Sequence, residues 1–352
     1  MDIKDRIAAL PGALLPWYEK NRRDLPWRQD RDPYHIWISE IMLQQTRVEA
    51  VKNFYSRFVA TLPTISALAA CDDELLHKLW EGLGYYSRVR NLKKAAIRVM
   101  EDYGGVFPRE YPQILDLPGI GAYTAGAICS IAYDMPTPAV DGNVLRVYAR
   151  VTDDATPIDL PAFKKATQKA LGAVYPREAG AFTQALMELG ATLCGPNRAP
   201  DCGSCPCKGF CLSCANGTAE QLPVKSPKRG RRKEDMTVFL LRCRDEFALQ
   251  KRPAGGLLAN LWQFPNTPSK LNTNETLTWM EDNGLKPKEI IMQMERKHAF
   301  THIEWDMRGV YVRVADKTPG YVWRSREQIN AETALPTAFR LFWDEIQVFD
   351  GL

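Results

Sequence analysis

Leu115 to Tyr148 reads LDLPGIGAYTAGAICSIAYDMPTPAVDGNVLRVY, and this stretch organises the rest of the chain. Leu117-Pro118-Gly119-Ile120-Gly121 closes one helix, and the small residues Ala122, Ala125, Gly126 and Ala127 open the next. Glycines at 119 and 121 let the backbone take positive φ and come close to a ligand. The amides that start the following helix then face outward, where they suit a phosphate oxygen. Pro138 to Asn143 is extended and feeds the helix VLRVYARV. Asp141 therefore stands just ahead of a helix N-terminus, whose positive end is expected to keep its carboxylate ionised.

The 352 residues are 45% apolar and 25% charged, as in a soluble globular protein of about two domains. A formal net charge of +4 does not by itself require a nucleic-acid partner. The charge is unevenly spread, however: KSPKRGRRK at 225–233 is a dense basic run that reads either as a solvated linker or as a phosphate contact. No apolar run reaches the roughly 18 residues of a membrane helix, and MDIKDRIAAL lacks a secretory core, so a cytoplasmic protein is expected. Of nine cysteines, Cys194, Cys202, Cys205, Cys207, Cys211 and Cys214 crowd together. Without an export signal, such crowding points to metal rather than disulfides.

Upstream of the central stretch the pattern is helical. Residues 3–20 carry apolar positions at helical spacing, broken near Pro11-Gly12. Asp32-Pro33 makes an N-cap and first helical residue for YHIWISEIMLQQTRVEAVKNFYSRF. Glu40 sits amid Trp37, Ile38, Ile41 and Val48, where an acid is costly unless it is salt-bridged or wanted protonated. Gln44-Gln45-Thr46 breaks this helix with amides that suit base edges or an exposed helix end. The run EGLGYYSRVRN at 81–91 places two glycines beside two tyrosines and two arginines, a wedge for a base stack or ordinary helix packing. Helices are predicted over 65–70, 73–80, 92–103, 161–175 and 178–193, so the first 214 residues read as almost wholly α.

From Thr237 the texture changes. TVFLLRC, FALQKR, GVYVRVA and YVWR read as strands, and TLTWMEDNGL and TALPTAFRLFWDEI as helices, giving an α+β domain. The break falls in Ala215–Asp235, polar, basic and punctuated by Pro223 and Pro227. The cysteine crowd offers Cys194-x7-Cys202-x2-Cys205-x5-Cys211, four thiolates suited to zinc or a cubane iron–sulfur cluster. A rival set replaces Cys194 with Cys214, and Cys207 is spare in both.

With these pieces in order, the chain resembles the helix-hairpin-helix DNA glycosylases that carry an iron–sulfur cluster, and within them the MutY-type adenine DNA glycosylases. The resemblance rests on WISEIMLQQT (37–46), GLGYY (82–86), LPGIG (117–121), VDGN (140–143), the cysteines and GLLANLWQFP (256–265). Six short motifs in the right order are specific where each alone is weak. The fold it implies is multidomain: a mainly α helix-hairpin-helix glycosylase domain (1–214) with an iron–sulfur loop (194–214), a basic linker (215–235) and an α+β Nudix-like domain that recognises 8-oxoguanine (236–352). Two departures stand out. The chain leaves seven residues between its first two cluster cysteines, one more than the family's usual spacing, and Thr301 stands where the family's reading loop commonly has serine.

The resemblance implies a monofunctional glycosylase that extrudes adenine mispaired with 8-oxoguanine, or with guanine, from double-stranded DNA. It implies Glu40 as the general acid on adenine N7 and Asp141 as the group stabilising the oxocarbenium ion. Tyr123 is expected to support the Asp141 side of the sugar, and Arg28, Gln184 and Asn143 to shape the pocket and order water. Gln45, Leu83 and Tyr85 would fill or wedge the vacated space, and the amides near Gly119 and Gly121 would hold backbone phosphate. Phe300, Thr301 and His302 would inspect the opposite base; without the resemblance, His302 reads as a satisfied strand histidine. Cys194, Cys202, Cys205 and Cys211 would bind a 4Fe–4S cluster. Strand-cleaving relatives carry a lysine where Tyr123 stands, and a phenol forms no imine. The stretch that follows Pro265 lacks the acid array of a Nudix hydrolase, with only Glu275 and Glu281 nearby. The competing readings are a thymine-mismatch or strand-cleaving relative, a Nudix pyrophosphatase with a DNA-binding half, and a non-catalytic lesion binder. A monomer is expected, associated with the nucleoid if the cell is bacterial.

Overall fold

Asp32 accepts a hydrogen bond from the Tyr34 amide, and Pro33 takes the first position of the helix Pro33–Met42 that carries Glu40. In this computed structural model every residue is described except Asn197, Lys228, Arg229 and Leu352; of the basic run, Lys228 and Arg229 thus lie outside the described residues. The chain forms two units. One holds Met1–Cys71 and Arg90–Pro227, the other Asp72–Val89 and Lys228–Leu352. Asp72–Val89, from the helical part of the sequence, thus packs with the C-terminal part.

The first unit is helical throughout its described elements. The helix expected over 3–20 breaks at Ala9, giving Ile3–Ala8 and Leu10–Asn21, with Pro11 in the first turn of the second. Gln45 takes a left-handed φ of 58° where the Glu40 helix ends, and the next helix runs Val48–Thr61. The helix before the hairpin is short, Tyr111–Leu115. Gly119 then turns at φ 77°, with its α-carbon so close to Asn91 that an added Cβ would stand 2.6 Å from the Asn91 Cβ. Gly121 caps the helix Ala122–Tyr133 without a side-chain bond, leaving its first amides open.

Asp141 is the N-cap of Gly142–Thr152, whose buried face includes Val144, Val147 and Val151. This face meets Phe182, Leu186 and Leu189 of the helix Ala179–Ala191. Burying each such side chain is worth roughly 1.5–3 kcal/mol, which holds the two helices together. Gly190 permits their close approach, since a Cβ there would lie 2.6 Å from the Asn143 Cβ. Packing of these helices thus fixes where Asp141 stands.

The second unit is a mixed sheet between helices. Its strands are β1 (Arg232–Cys243), β2 (Glu246–Lys251), β3 (Trp262–Gln263), β4 (Asn266–Thr267), β5 (Pro287–Ala299), β6 (Ile303–Val314) and β7 (Val322–Ser325). The order is β3-β2-β1-β6-β5, with β4 beside β1 and β7 beside β2. β1 and β6 run parallel, in register from Arg232↔Ile303 to Arg242↔Arg313, and β5 and β6 form an antiparallel hairpin. β1 is buried on both faces, hence its unbroken apolar run. Met236, Val238 and Leu240 pack with Phe339, Phe342 and Trp343 of the helix Thr337–Phe349, and Phe239 and Leu241 with Met280 of the helix Thr273–Asp282. β5 and the helix Arg326–Glu332 are additions to the elements expected from sequence. Among the described residues no helix is long and apolar enough to cross a membrane.

Candidate active site

One cavity of about 870 Å³ opens in the first unit, and its walls bring together residues from distant parts of the sequence. Arg28, Glu40, Gln45, Tyr123, Asp141, Asn143 and Gln184 all line it. Two carboxylic acids, one on the buried face of a helix and one at a helix N-terminus, thus share one space.

Glu40 is 5% exposed, and burial pushes its carboxyl up to about 7. The nearby Asp141 adds to the rise, while the Tyr123 hydroxyl and the Arg28 charge oppose it. The Tyr123 hydroxyl donates to Glu40 Oε2. Sequence reasoning put Tyr123 on the Asp141 side; its hydrogen bond goes to Glu40 instead. Burial and the two neighbouring acids hold the phenol far above its usual range, so it stays a donor.

Asp141 accepts from the Val144 amide at 2.8 Å and from Asn143 Nδ2 at 2.7 Å, one bond to each carboxylate oxygen. Burial raises the Asp141 carboxyl above its ordinary value, while the Val144 amide of the helix N-terminus and Asn143 act in the opposite direction and favour the charged form. Asn143 is held in turn by Arg146, whose Nη2 donates to Asn143 Oδ1 and to the Gly190 carbonyl, both at 2.7 Å. Arg146 Nε donates to the Cys194 carbonyl at 2.8 Å, so one guanidinium joins the Asp141 turn to the start of the cysteine loop.

Glu188 is a member of this cavity that sequence reasoning missed. It is fully buried and accepts from Arg23 at 2.6 and 3.0 Å and from Arg28 at 2.8 Å. Burial alone would raise its carboxyl, but the two guanidiniums outweigh burial and hold it below the ordinary value. Its signal in the sequence was an acid on the apolar face of ALMELG, four residues after Gln184. Gln184 itself donates to the Gly180 carbonyl at 3.3 Å.

The cysteine loop forms its own small pocket. Cys194, Cys202, Cys205, Cys211 and Cys214 line it together with Arg150, which donates to Cys194 Sγ at 3.1 Å. Cys207 is buried at 1% exposure, and all nine cysteines are outside disulfides. Among the described residues no three His, Cys, Asp or Glu side chains converge on a single-ion site.

The remaining predicted residues lie in the second unit. Tyr85 is 48% exposed at a left-handed φ of 47°, a conformation that costs energy for a residue with a Cβ. Leu83, expected to project, is 6% exposed; its position in the turn buries it. Phe300, Thr301 and His302 form the tip between β5 and β6, where Thr301 and His302 are exposed and Phe300 packs edge-on against Trp305 with ring centres 4.8 Å apart. His302 is thus a turn residue rather than a strand histidine. The Tyr85 hydroxyl lies 3.4 Å from Thr301 Oγ1.

Residues 38–168 match the HhH-GPD superfamily of base excision DNA repair proteins, and residues 237–345 match the NUDIX domain. The human adenine DNA glycosylase is 32% identical, over 96% of this chain and 74% of that protein. The adenine DNA glycosylase of Buchnera aphidicola subsp. Baizongia pistaciae is 34% identical, over 85% and 84%. Among solved structures, a thermostable thymine-DNA glycosylase superposes with a TM-score of 0.54 at 30% identity, covering 60% of this chain and 98% of that one. A trapped endonuclease III–DNA covalent intermediate gives 0.53 at 24% identity, covering 62% and 100%, a likeness of fold alone. With a helix-hairpin-helix half, a Nudix half and relatives matched along nearly its whole length, the chain belongs to the adenine DNA glycosylases, enzymes of base excision repair.

Proposed function

We propose that this glycosylase excises adenine opposite 8-oxoguanine, and opposite guanine, with Glu40 as general acid and Asp141 as the partner of the sugar cation. The observation that carries the reading is that both carboxyl groups line one cavity and that burial raises the Glu40 carboxyl there to about 7. A proton-bearing acid near neutral pH is what protonation of a purine nitrogen requires.

The flipped adenine enters the cavity at a cost of a few kcal/mol in unstacking, least for a mispaired base. Glu40 gives its proton to N7, the C1′–N9 bond breaks, and the bonding pair leaves with the neutral base. Such a positioned acid contributes about 10²–10⁴ in rate. The sugar is left as an oxocarbenium ion beside Asp141, whose two accepted hydrogen bonds suit the charged form. Water then adds to C1′ and gives its extra proton to the Glu40 carboxylate, which restores the acid. Tyr123 and Arg28 steady Glu40, and Asn143 steadies Asp141. With a tyrosine at 123 no amine is available for an imine, so the strand stays intact.

Gln45 and Tyr85 are each assigned to contact the DNA stack around the extruded adenine, a role that suits exposed residues at left-handed φ. Open amides at the Gly119–Gly121 hairpin hold phosphate. Thr301 and His302 read the opposite base with Phe300 packed behind them. Glu275 serves in the capping box with Asn272, which supports a Nudix-like domain that reads rather than hydrolyses.

The resident group is a 4Fe–4S cluster on Cys194, Cys202, Cys205 and Cys211. The donor set fits: disulfide-free thiols line one pocket beside a cation. When bound, the cluster supplies iron–thiolate bonds that tie the loop together. The enzyme works as a cytoplasmic monomer.

The test is a labelled duplex with one 8-oxoguanine:adenine pair, with strand breakage scored with and without alkali. Breakage only after alkali, lost in Glu40→Gln with duplex affinity retained, is expected. Breakage without alkali refutes the monofunctional assignment, and a fully active Glu40→Gln refutes the acid.

A further inference from the structure

We infer that Glu81 is a positioning residue that locks the Tyr85 wedge to the hairpin bearing Thr301, and so sets the preference for the base opposite adenine. The inference rests on the reading of the opposite base proposed above. Glu81 precedes the turn that carries Tyr85, and its side chain is 15% exposed. Its Oε1 accepts from the Leu335 amide and from Arg340 Nη1, each at 3.0 Å, and its Oε2 accepts from Lys78 Nζ at 2.6 Å. Lys78 also donates to the Thr333 carbonyl at 3.1 Å. One carboxylate thus fastens the start of the wedge turn to the helix Thr337–Phe349 and to the loop before it.

From there a ring of contacts closes. Phe339, on the same helix as Arg340, packs on Trp305 with ring centres 6.0 Å apart, and Trp305 packs on Phe300 at 4.8 Å. Thr301 follows Phe300 and meets the Tyr85 hydroxyl at 3.4 Å. Arg88 completes the turn, stacking 5.6 Å from the Tyr85 ring and donating to the Leu83 and Gly84 carbonyls at 2.9 and 3.2 Å. The wedge and the reading tip are therefore two sides of one frame with Glu81 at a joint. Opening that joint lets Tyr85 and Thr301 drift relative to each other, while Glu40 and Asp141 lie in the other unit.

The test uses the full chain and single-turnover excision on 8-oxoguanine:adenine and guanine:adenine duplexes. Glu81→Ala is expected to lower the ratio of the two rates by about tenfold, with the guanine:adenine rate kept within about twofold. Glu81→Gln keeps an acceptor for Leu335 and Arg340 and is expected to recover most of the ratio; Arg340→Met, which removes the donor on the other side of the joint, is expected to lower the ratio and stands in if Glu81→Ala folds poorly. In a Tyr85→Ala background, Glu81→Ala is expected to change the ratio no further. An unchanged ratio, an equal loss on both duplexes, or an undiminished loss without Tyr85 overturns the role of Glu81. A wild-type enzyme with no preference between the duplexes overturns the reading of the opposite base itself, and the role of Glu81 with it.

Discussion

Replacing Glu40 with glutamine is expected to stabilise the folded protein at alkaline pH while it stops excision. Glu40 is 5% exposed and titrates at about 7 rather than its ordinary 4.5. The folded state therefore holds the proton more tightly than the unfolded chain does. Stability is highest below pH 4.5, declines as pH rises toward 7, and levels off above that. At roughly 1.4 kcal/mol per pH unit, the interval amounts to about 3 kcal/mol. Glutamine has no such titration. The amide has its own burial cost, but that cost does not change with pH and cancels between conditions. Denaturant unfolding of both proteins at pH 5 and pH 8 is the assay. The advantage of Glu40→Gln should grow by about 2–3 kcal/mol between the two pH values. An advantage that stays constant with pH would refute the reasoning, because Glu40 would then titrate alike in the folded and unfolded states.

Two further outcomes follow from the same cavity. Excision by the native enzyme should fall above about pH 7 as Glu40 loses its proton; in Tyr123→Phe, which removes a hydrogen bond that lowers Glu40, the falling limb should move to higher pH, as read from single-turnover pH profiles. Gly190→Ala would set a Cβ 2.6 Å from the Asn143 Cβ; it should cost about 1–3 kcal/mol in unfolding free energy and slow excision more than it weakens duplex binding, because Asn143 holds Asp141.

What the sequence made legible was whatever short-range backbone rules decide. The hairpin at Gly119, the Asp32-Pro33 helix start and the extended approach to Asp141 each depend on a few consecutive residues, and each can be read from them. β1 was equally visible as a strand, because TVFLLRC is rich in β-branched and aromatic residues. β5 was not, because bulges at Pro287/Glu289 and Ile290/Met292 interrupt its alternation and charges crowd its outer face. Ion pairs set by tertiary packing were hidden altogether. Arg23 and Glu188 stand 165 residues apart, and Glu81 and Arg340 stand 259 apart. At Asp141 only half of the balance was legible: the helix end is local and visible, while the burial that acts against it is made by distant parts of the chain.

Glu188 explains why two buried acids in one cavity behave oppositely. Both lose solvation, which alone would raise both. Glu188 faces two guanidiniums at hydrogen-bond distance and stays ionised, while Glu40 has a phenol and only the more distant charge of Arg28. The ion pair therefore engages the cation that would otherwise strip Glu40 of its proton. Glu188→Gln should expose this division. With the negative charge gone, Arg28 acts on Glu40 uncompensated, so the Glu40 pKa should fall and the alkaline limb of excision should move to lower pH. That is opposite in sign to Tyr123→Phe, and a general loosening of the cavity would not produce two opposite shifts. Loss of one partner of a buried ion pair costs about 3–5 kcal/mol, so the profile is best recorded at low temperature with unfolding followed in parallel. A limb that stays in place in folded Glu188→Gln would mean that Arg28 does not govern Glu40, and the partition of roles between the acids would need another cause.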